Sequence, residues 1–168
     1  MTIQTRSRRV AAAALIVFAA LCAWPAAAEI HHVVLCGSGG EAEFEEKFRD
    51  WGVRLRNALI NRLGASAEMV SLLMESPGPD SGATPITLES IGTLFKDLAS
   101  RVGPEDDLAV YLIGHGSFMK DESKFQIPGE DLSAKSLEAM LAELSAARVI
   151  VVNGTSSSAG FINVLSGP

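Results

Sequence analysis

The chain has 168 residues, 48% of them hydrophobic and 20% charged, and its formal net charge at pH 7 is −6. This acidic balance, without a basic patch, argues against a nucleic acid as partner. With only two cysteines, Cys22 and Cys36, the chain is not a disulfide-rich scaffold, and its length suits one domain.

Residues 1–28 are predicted to be a secretory signal peptide. Three arginines precede an apolar stretch at positions 10–24, and the alanines at positions 26–28 form an A-x-A cleavage site. An uncleaved membrane anchor is the alternative, although the stretch is shorter than the roughly 20 residues that span a bilayer. We therefore expect a periplasmic or secreted protein with no stable membrane insertion after cleavage.

Residues 29–168 are expected to form the mature domain. They contain all 20 acidic residues and 11 of the 14 basic residues, which leaves a net charge of −9. Cys36 is the one cysteine in this range, so an intrachain disulfide is excluded even in an oxidising compartment.

The first half of this domain is predicted to alternate strands with helices. Residues 30–36 form a β-branched strand that ends at the glycine turn Gly37–Gly40. A long helix ends at Gly64, and residues 69–74 form a second strand. The apolar stripe of the helix is predicted to be core, at Phe44, Phe48, Trp51, Leu55, Leu59 and Leu63.

The second half repeats this alternation. Thr87 is predicted to cap a helix that Gly103 ends, and Ser133 to open another. Residues 108–113 and 148–152 are near-continuous apolar runs, as is typical of strands buried on both faces of a parallel sheet. The alternation predicts an α/β fold with a parallel sheet between helices.

Sites in such folds lie beyond the carboxyl ends of the strands. Three features fall there: the glycine turn after Cys36, His115 with Gly116, and the segment 153–158. The helical crossover between the last two strands should make those strands neighbours. His31 and His32 begin the first strand, at the opposite end, and are predicted to be surface residues.

Four short motifs resemble the legumain family of cysteine endopeptidases, within the caspase-like group. The family has GSNG after its first strand, HGS after an apolar strand, a segment close to PNEDL, and a strand ending in EACESGS. The matching stretches are GSGG at 37–40, HGS at 115–117, PGEDL at 128–132 and NGTSSSA at 153–159. The resemblance implies a three-layer caspase-like fold over residues 29–168. Because that fold has further strands, we expect the protein to continue beyond Pro168.

The resemblance also implies roles for individual residues. His115 occupies the catalytic histidine position, Gly116 supplies an oxyanion N–H, and the cysteine position falls on Thr155. A threonine hydroxyl is much harder to ionise than a thiol, whose ordinary pKa is about 8.5. The asparagine that helps to orient the histidine falls on Gly39, and an acidic residue falls on Ser156. The residues expected to line the cleft are Gly39, Ser117, Asn153, Gly154 and Ser156.

Two functions follow from this comparison. The first is a pseudopeptidase that retains a cleft for a peptide or protein ligand without efficient chemistry. The alternative is an active hydrolase that uses Thr155, Ser156 or Cys36 as nucleophile with His115 as base. A buried, inert thiol is the competing interpretation of Cys36. A secreted domain without any cleft function is a third possibility. The sequence predicts neither a metal site nor a cofactor.

Overall fold

The computed structural model describes residues 28–167. The predicted signal peptide therefore lies, apart from Ala28, outside the described residues. Within that range, no helix has both the length and the apolar character needed to cross a membrane.

Eight strands and four helices make up the described chain. The strands are β1 (Ile30–Cys36), β2 (Val70–Met74), β3 (Thr84–Pro85), β4 (Asp107–Ile113), β5 (Gly116–Met119), β6 (Glu122–Phe125), β7 (Leu132–Ser133) and β8 (Arg148–Asn153). The helices are α1 (Ala42–Asn61), α2 (Leu88–Arg101), α3 (Ala134–Ala142) and α4 (Ala159–Leu165), with a 3₁₀ turn at Ala67–Met69.

The main sheet has five parallel strands in the order β3-β2-β1-β4-β8. Different helices cover the two faces of this sheet. Successive side chains of a strand point to opposite faces, so neighbouring residues of β1 contact different helices. Val33 and Leu35 of β1 share a buried cluster with α2, α3 and α4, whereas Val34 and Cys36 pack with Leu59 of α1. The predicted α/β fold, a parallel sheet between helices, is confirmed.

Helix α2 begins where the sequence predicts. The Thr87 hydroxyl accepts a hydrogen bond from the Ser90 N–H, and the Ser90 hydroxyl accepts one from the Thr87 N–H, which forms a reciprocal capping box. Ser133 likewise caps α3 by accepting from the Ser136 N–H.

The predicted core stripe of α1 is only partly buried. Phe48 and Leu59 are buried, but Phe44, Trp51 and Leu63 are 36%, 48% and 75% exposed. The prediction that the whole stripe is core was wrong: α1 packs its buried positions against β1 and β2, the Trp51 side chain is not among them, and Leu63 lies beyond the last residue of the helix, Asn61.

The prediction that β8 is a buried strand was also wrong. Among residues 28–167, β8 is the outer strand of the sheet and pairs with β4 alone, so Val149, Ile150 and Val152 are 41%, 50% and 49% exposed. Its apolar sequence resembles that of the central strand β4, and only its place in the sheet distinguishes the two.

His31 is buried rather than at the surface, so that prediction was wrong as well. It is 3% exposed because β1 lies between β2 and β4, and it faces the same side of the sheet as Val33. His32, on the opposite face, is half-buried, and burial is the main cause that lowers its pKa, with His31 adding to the effect.

A small antiparallel sheet, β5-β6-β7, interrupts the crossover between β4 and β8 and was not predicted. Lys120 and Asp121 have positive φ angles of 53° and 61° in the tight turn between β5 and β6. Phe125 of β6 is fully buried in the main core and joins this sheet to the rest of the domain.

Candidate functional site

The carboxyl ends of β1, β4 and β8 meet at one edge of the main sheet. Cys36 pairs with Ile113, and Leu112 pairs with Asn153, so the three strands end side by side. β4 and β8 are therefore neighbours, as the crossover predicts, and the three sequence features lie at the same edge.

The turn after β1 is packed too closely for side chains at two of its glycines. A Cβ atom on Gly37 would overlap the carbonyl oxygen of Gln126 and approach the Phe125 ring to 2.7 Å. A Cβ atom on Gly39 would overlap the backbone of Glu45 in α1. The asparagine of the family motif therefore does not fit at position 39 with this backbone.

Glu75 holds this turn from the neighbouring strand. Its carboxylate accepts hydrogen bonds from the Ser38 hydroxyl at 2.9 Å and from the Gly39 N–H at 3.0 Å. Sequence reasoning missed Glu75. The available signal was its position directly after β2, which places it at the same edge of the sheet as Gly39.

His115 lies against the aromatic end of α1. Its imidazole meets the Phe44 and Phe48 rings edge-on, with both centroid distances at 5.0 Å. Its carbonyl accepts a hydrogen bond from the Gln126 N–H, which fixes the backbone at the start of the small sheet. The two aromatic residues that the sequence assigned to the core thus orient the candidate catalytic base.

Thr155 is 7% exposed, and its hydroxyl is already hydrogen-bonded. The hydroxyl oxygen lies 2.7 Å from Asn153 Oδ1 and 3.2 Å from the Ser156 carbonyl oxygen, and both are acceptors for its proton. The Thr155 N–H donates to the same Asn153 oxygen at 3.0 Å. Asn153 therefore holds Thr155 in a local Asx turn, with the hydroxyl proton shared between these two acceptors.

Ser156 forms a reciprocal pair with the backbone of Gly116. Its hydroxyl accepts from the Gly116 N–H at 3.1 Å and donates to the Gly116 carbonyl at 3.0 Å. The N–H that the resemblance assigns to an oxyanion is thus occupied by a side chain of the same protein.

The remaining predicted site residues support this arrangement through their backbones. A Cβ atom on Gly116 would overlap the Ser156 carbonyl oxygen and lie 2.7 Å from the Thr155 hydroxyl oxygen. The Gly154 N–H donates to the Leu112 carbonyl, and Ser117 pairs with Lys124 in the small sheet. The structure therefore brings His115, Gly116, Thr155 and Ser156 together at the carboxyl ends of β4 and β8.

Cys36 lies in the core beneath α1. It is 1% exposed, and burial raises the pKa of its thiol to about 12. A Cβ atom on Gly52 of α1 would overlap its sulfur, so the helix lies directly on the thiol. At neutral pH this thiol is protonated and covered, which makes it a poor nucleophile.

Among residues 28–167, no group of three His, Cys, Asp or Glu side chains is arranged to hold a metal ion. A scan against protein-family models found no match, and a search of curated proteins found no significant one. The legumain resemblance rests on the four motifs.

Proposed function

We propose that this protein is an exported, legumain-like pseudopeptidase that binds a peptide or protein segment without cleaving it. The finer fold assignment, caspase-like, is part of this proposal. Its support is the position of the motifs: GSGG follows β1, HGS follows β4, PGEDL leads into α3 through β7, and NGTSSSA follows β8. All but the third are at the carboxyl edge of the parallel sheet, where sites in such folds lie.

The observation that carries the proposal is the pair of hydrogen bonds between Ser156 and Gly116. Acyl transfer needs free N–H donors aimed at the position where the oxyanion develops. Here the Ser156 hydroxyl occupies the Gly116 N–H, and the bond it donates to the Gly116 carbonyl holds it there. A substrate carbonyl would have to displace this side chain before it could be polarised.

The nucleophile position supports the same conclusion. A hydroxyl nucleophile must give its proton to an adjacent base. The Thr155 hydroxyl points its proton to Asn153 and to the Ser156 carbonyl, while the His115 imidazole is held by Phe44 and Phe48. The alternative nucleophile Cys36 is buried under α1, and Ser156 is bonded to Gly116.

A panel of fluorogenic peptides with Asn or Asp at the cleaved bond tests the proposal. The proteins are the wild type, His115→Ala and Thr155→Cys, each also in a Cys36→Ser background so that a thiol-directed probe reports only on position 155. We expect no turnover by the wild type, because loss of a nucleophile of this kind typically lowers the rate by about 10⁴ to 10⁶. Thr155→Cys alone should restore little, since Ser156 still occupies the Gly116 N–H.

The matched comparison is Thr155→Cys with and without Ser156→Ala. Removal of the Ser156 hydroxyl frees the Gly116 N–H, which can then polarise the carbonyl of a probe. The double variant should therefore react faster than Thr155→Cys alone with a thiol-directed probe that carries a reactive acyl group. Wild-type turnover that His115→Ala abolishes would show that the protein is an active hydrolase instead.

A further inference from the structure

The first residue of the expected mature domain, Glu29, is held through its backbone on two sides. Its N–H donates a hydrogen bond to Asp106 Oδ1 at 2.9 Å, and its carbonyl accepts one from the Asp107 N–H at 2.9 Å. β1 begins at the next residue, Ile30, which pairs with Asp107 of β4. The residue that directly follows Ala28 is therefore already fixed against the main sheet.

The Asp106 carboxylate is itself held in place by the turn before β4. Its Oδ2 accepts a hydrogen bond from the Gly103 N–H at 2.8 Å, and the Asp106 N–H donates to the Gly103 carbonyl at 3.1 Å. A Cβ atom on Gly103 would lie 3.3 Å from Oδ2, so the turn fits closely around the carboxylate. The Asp106 side chain is 18% exposed. The carboxylate thus has a fixed position and is largely shielded from water.

Asp106 lacks the hydrogen-bonded cation that the neighbouring Asp107 has. The Arg148 guanidinium donates two hydrogen bonds to the Asp107 carboxylate. Among residues 28–167, no Lys or Arg side chain pairs with Asp106. The His31 Nε2 lies 3.9 Å from Asp106 Oδ2, which is too long for a hydrogen bond. A positive charge at Oδ1 would therefore give Asp106 a cation that hydrogen-bonds to it.

The atom that contacts Oδ1 is the nitrogen that cleavage after Ala28 would convert. The A-x-A pattern at positions 26–28 predicts that cleavage. Hydrolysis breaks the C–N bond between Ala28 and Glu29, and the oxygen of water bonds to the Ala28 carbonyl carbon to form a carboxylate. The Glu29 nitrogen leaves as an amine, which takes up a proton at neutral pH because the ordinary pKa of an α-amino group is about 7.7–8.0. A neutral amide donor becomes a charged donor, which forms the stronger hydrogen bond to a carboxylate.

We propose that Asp106 is the binding site for the α-ammonium group that a signal peptidase creates at Glu29. The ion pair joins the start of β1 to the turn before β4, so removal of the leader stabilises the folded domain. The contacts of Glu29 persist after the cut, because they are made by its own nitrogen and carbonyl oxygen. The proposal rests on the export proposed above and adds a role for Asp106 in maturation.

The first test uses the full chain, expressed in a bacterial host that exports it. Intact mass and amino-terminal sequencing of the exported protein should place the first residue at Glu29. Competitive chemical labelling across neutral and alkaline pH then measures the pKa of its α-amino group. We expect that pKa to be raised by about half a unit, as for a partly exposed ion pair. The shift should vanish in concentrated urea, since the pair forms only in the folded domain.

Two variants assign the shift to one carboxylate. Asp106→Asn retains the size of the side chain and an oxygen acceptor but removes the charge, so the pKa of the α-amino group should return to its ordinary value. Asp107→Asn is the matched control, with the same change in net charge at the next residue. It should retain most of the shift, because the Asp107 carboxylate is already engaged by Arg148.

Selective acetylation of the α-amino group separates its charge from its hydrogen bond. The acetylated protein keeps an amide N–H at Glu29, as in the unprocessed chain, but has no ammonium. Because the folded pKa is raised, the pair contributes fully below the ordinary α-amino pKa and is lost as the pH rises through the folded value. In urea at slightly acidic pH, acetylation should therefore raise the unfolding equilibrium constant by about threefold, which corresponds to half a pKa unit. In Asp106→Asn, acetylation should have little effect.

Three results would overturn the ion pair: an exported protein that begins at another residue, an α-amino pKa at its ordinary value, or an equal shift in Asp106→Asn. If Asp106→Asn does not fold, the wild-type pKa and the acetylated protein still decide the question. None of these measurements involves peptide hydrolysis, so the ion pair and the loss of catalysis can fail separately.

Discussion

Gly116 is the residue on which the candidate site depends most closely. It lies between the end of β4 and the small sheet, and its backbone exchanges two hydrogen bonds with Ser156. Its lack of a side chain lets the segment after β8 approach this closely, with the Thr155 hydroxyl 2.7 Å from the place where a Cβ atom would stand. The requirement for glycine is therefore steric and arises from a residue 40 positions away.

Gly116→Ala should lower the free energy of unfolding by about 1–3 kcal/mol, because the added methyl group displaces the Ser156 backbone. The matched control is Gly92→Ala in α2, where a Cβ atom would have open space. That substitution should stabilise the protein by about 0.5–1 kcal/mol through helix propensity. Urea unfolding of both variants gives the comparison, and equal effects would show that residues 154–156 do not pack against Gly116.

Cys36 and His31 illustrate how burial sets the chemistry of single residues. The sequence places Cys36 at the carboxyl end of a strand, where a nucleophile could stand, yet α1 covers it and burial raises its pKa to about 12. His31 is enclosed for a similar reason, because its strand is central in the sheet. Neither outcome follows from the local sequence.

At the scale of elements, the starts of the helices are specified locally. Thr87 and Ser90 satisfy each other's N–H groups, and the Ser133 hydroxyl accepts a hydrogen bond from the Ser136 N–H in the first turn of α3. These contacts span three residues, so the pattern of hydroxyl residues before an apolar run predicts them.

Thr87→Ala should lower the free energy of unfolding by about 1 kcal/mol, since it leaves the Ser90 N–H without its side-chain acceptor. Thr93→Ala, at an exposed position inside the same helix, should be neutral or slightly stabilising because alanine has the higher helix propensity. Thermal unfolding followed by circular dichroism measures both. A loss in both variants alike would mean that the capping box contributes little.

The N-terminal part of α1 illustrates that the periodicity of one helix predicts its buried face and not its contacts with distant residues. The recurrence of apolar residues predicts the helix and its buried face, and Phe48 and Leu59 are buried. The same recurrence does not reveal that Phe44 and Phe48 hold His115, because that contact joins a helix to the end of a distant strand.

At the scale of the whole molecule, β8 is joined to β4 by an ion pair at the beginning of both strands. The Asp107 carboxylate accepts two hydrogen bonds from the Arg148 guanidinium, and this contact holds the pKa of Asp107 below its ordinary value. The neighbouring Asp106 also has a lowered pKa because it accepts the Glu29 and Gly103 N–H groups.

A lowered folded pKa means that these carboxylates stabilise the fold above their ordinary pKa of 3.8, and that this contribution is lost as the pH falls through the lower folded value. The free energy of unfolding should therefore decrease below about pH 4. Asp107→Asn and Arg148→Gln should each flatten this decrease, and the double variant should add nothing to either. Urea unfolding from pH 7 to pH 2.5 checks this, and independent effects of the two substitutions would contradict the coupling.

The sequence by itself determined the alternation of β1, β2, β4 and β8 with the helices α1, α2 and α3, the residues that cap α2 and α3, and the parallel sheet with its candidate residues at the carboxyl ends of the strands. These features rest on periodicity and on contacts within a few residues, or on the general chirality of crossovers. The tertiary structure alone decided that β8 is exposed although its residues resemble those of β4. It also decided that Glu75 holds the glycine turn and that Ser156 occupies the Gly116 N–H. The physical reason is that these hydrogen bonds join residues 36 and 40 positions apart in the chain. Such contacts, like the burial of a strand, depend on which elements pack together, and the local pattern of side chains does not specify that packing.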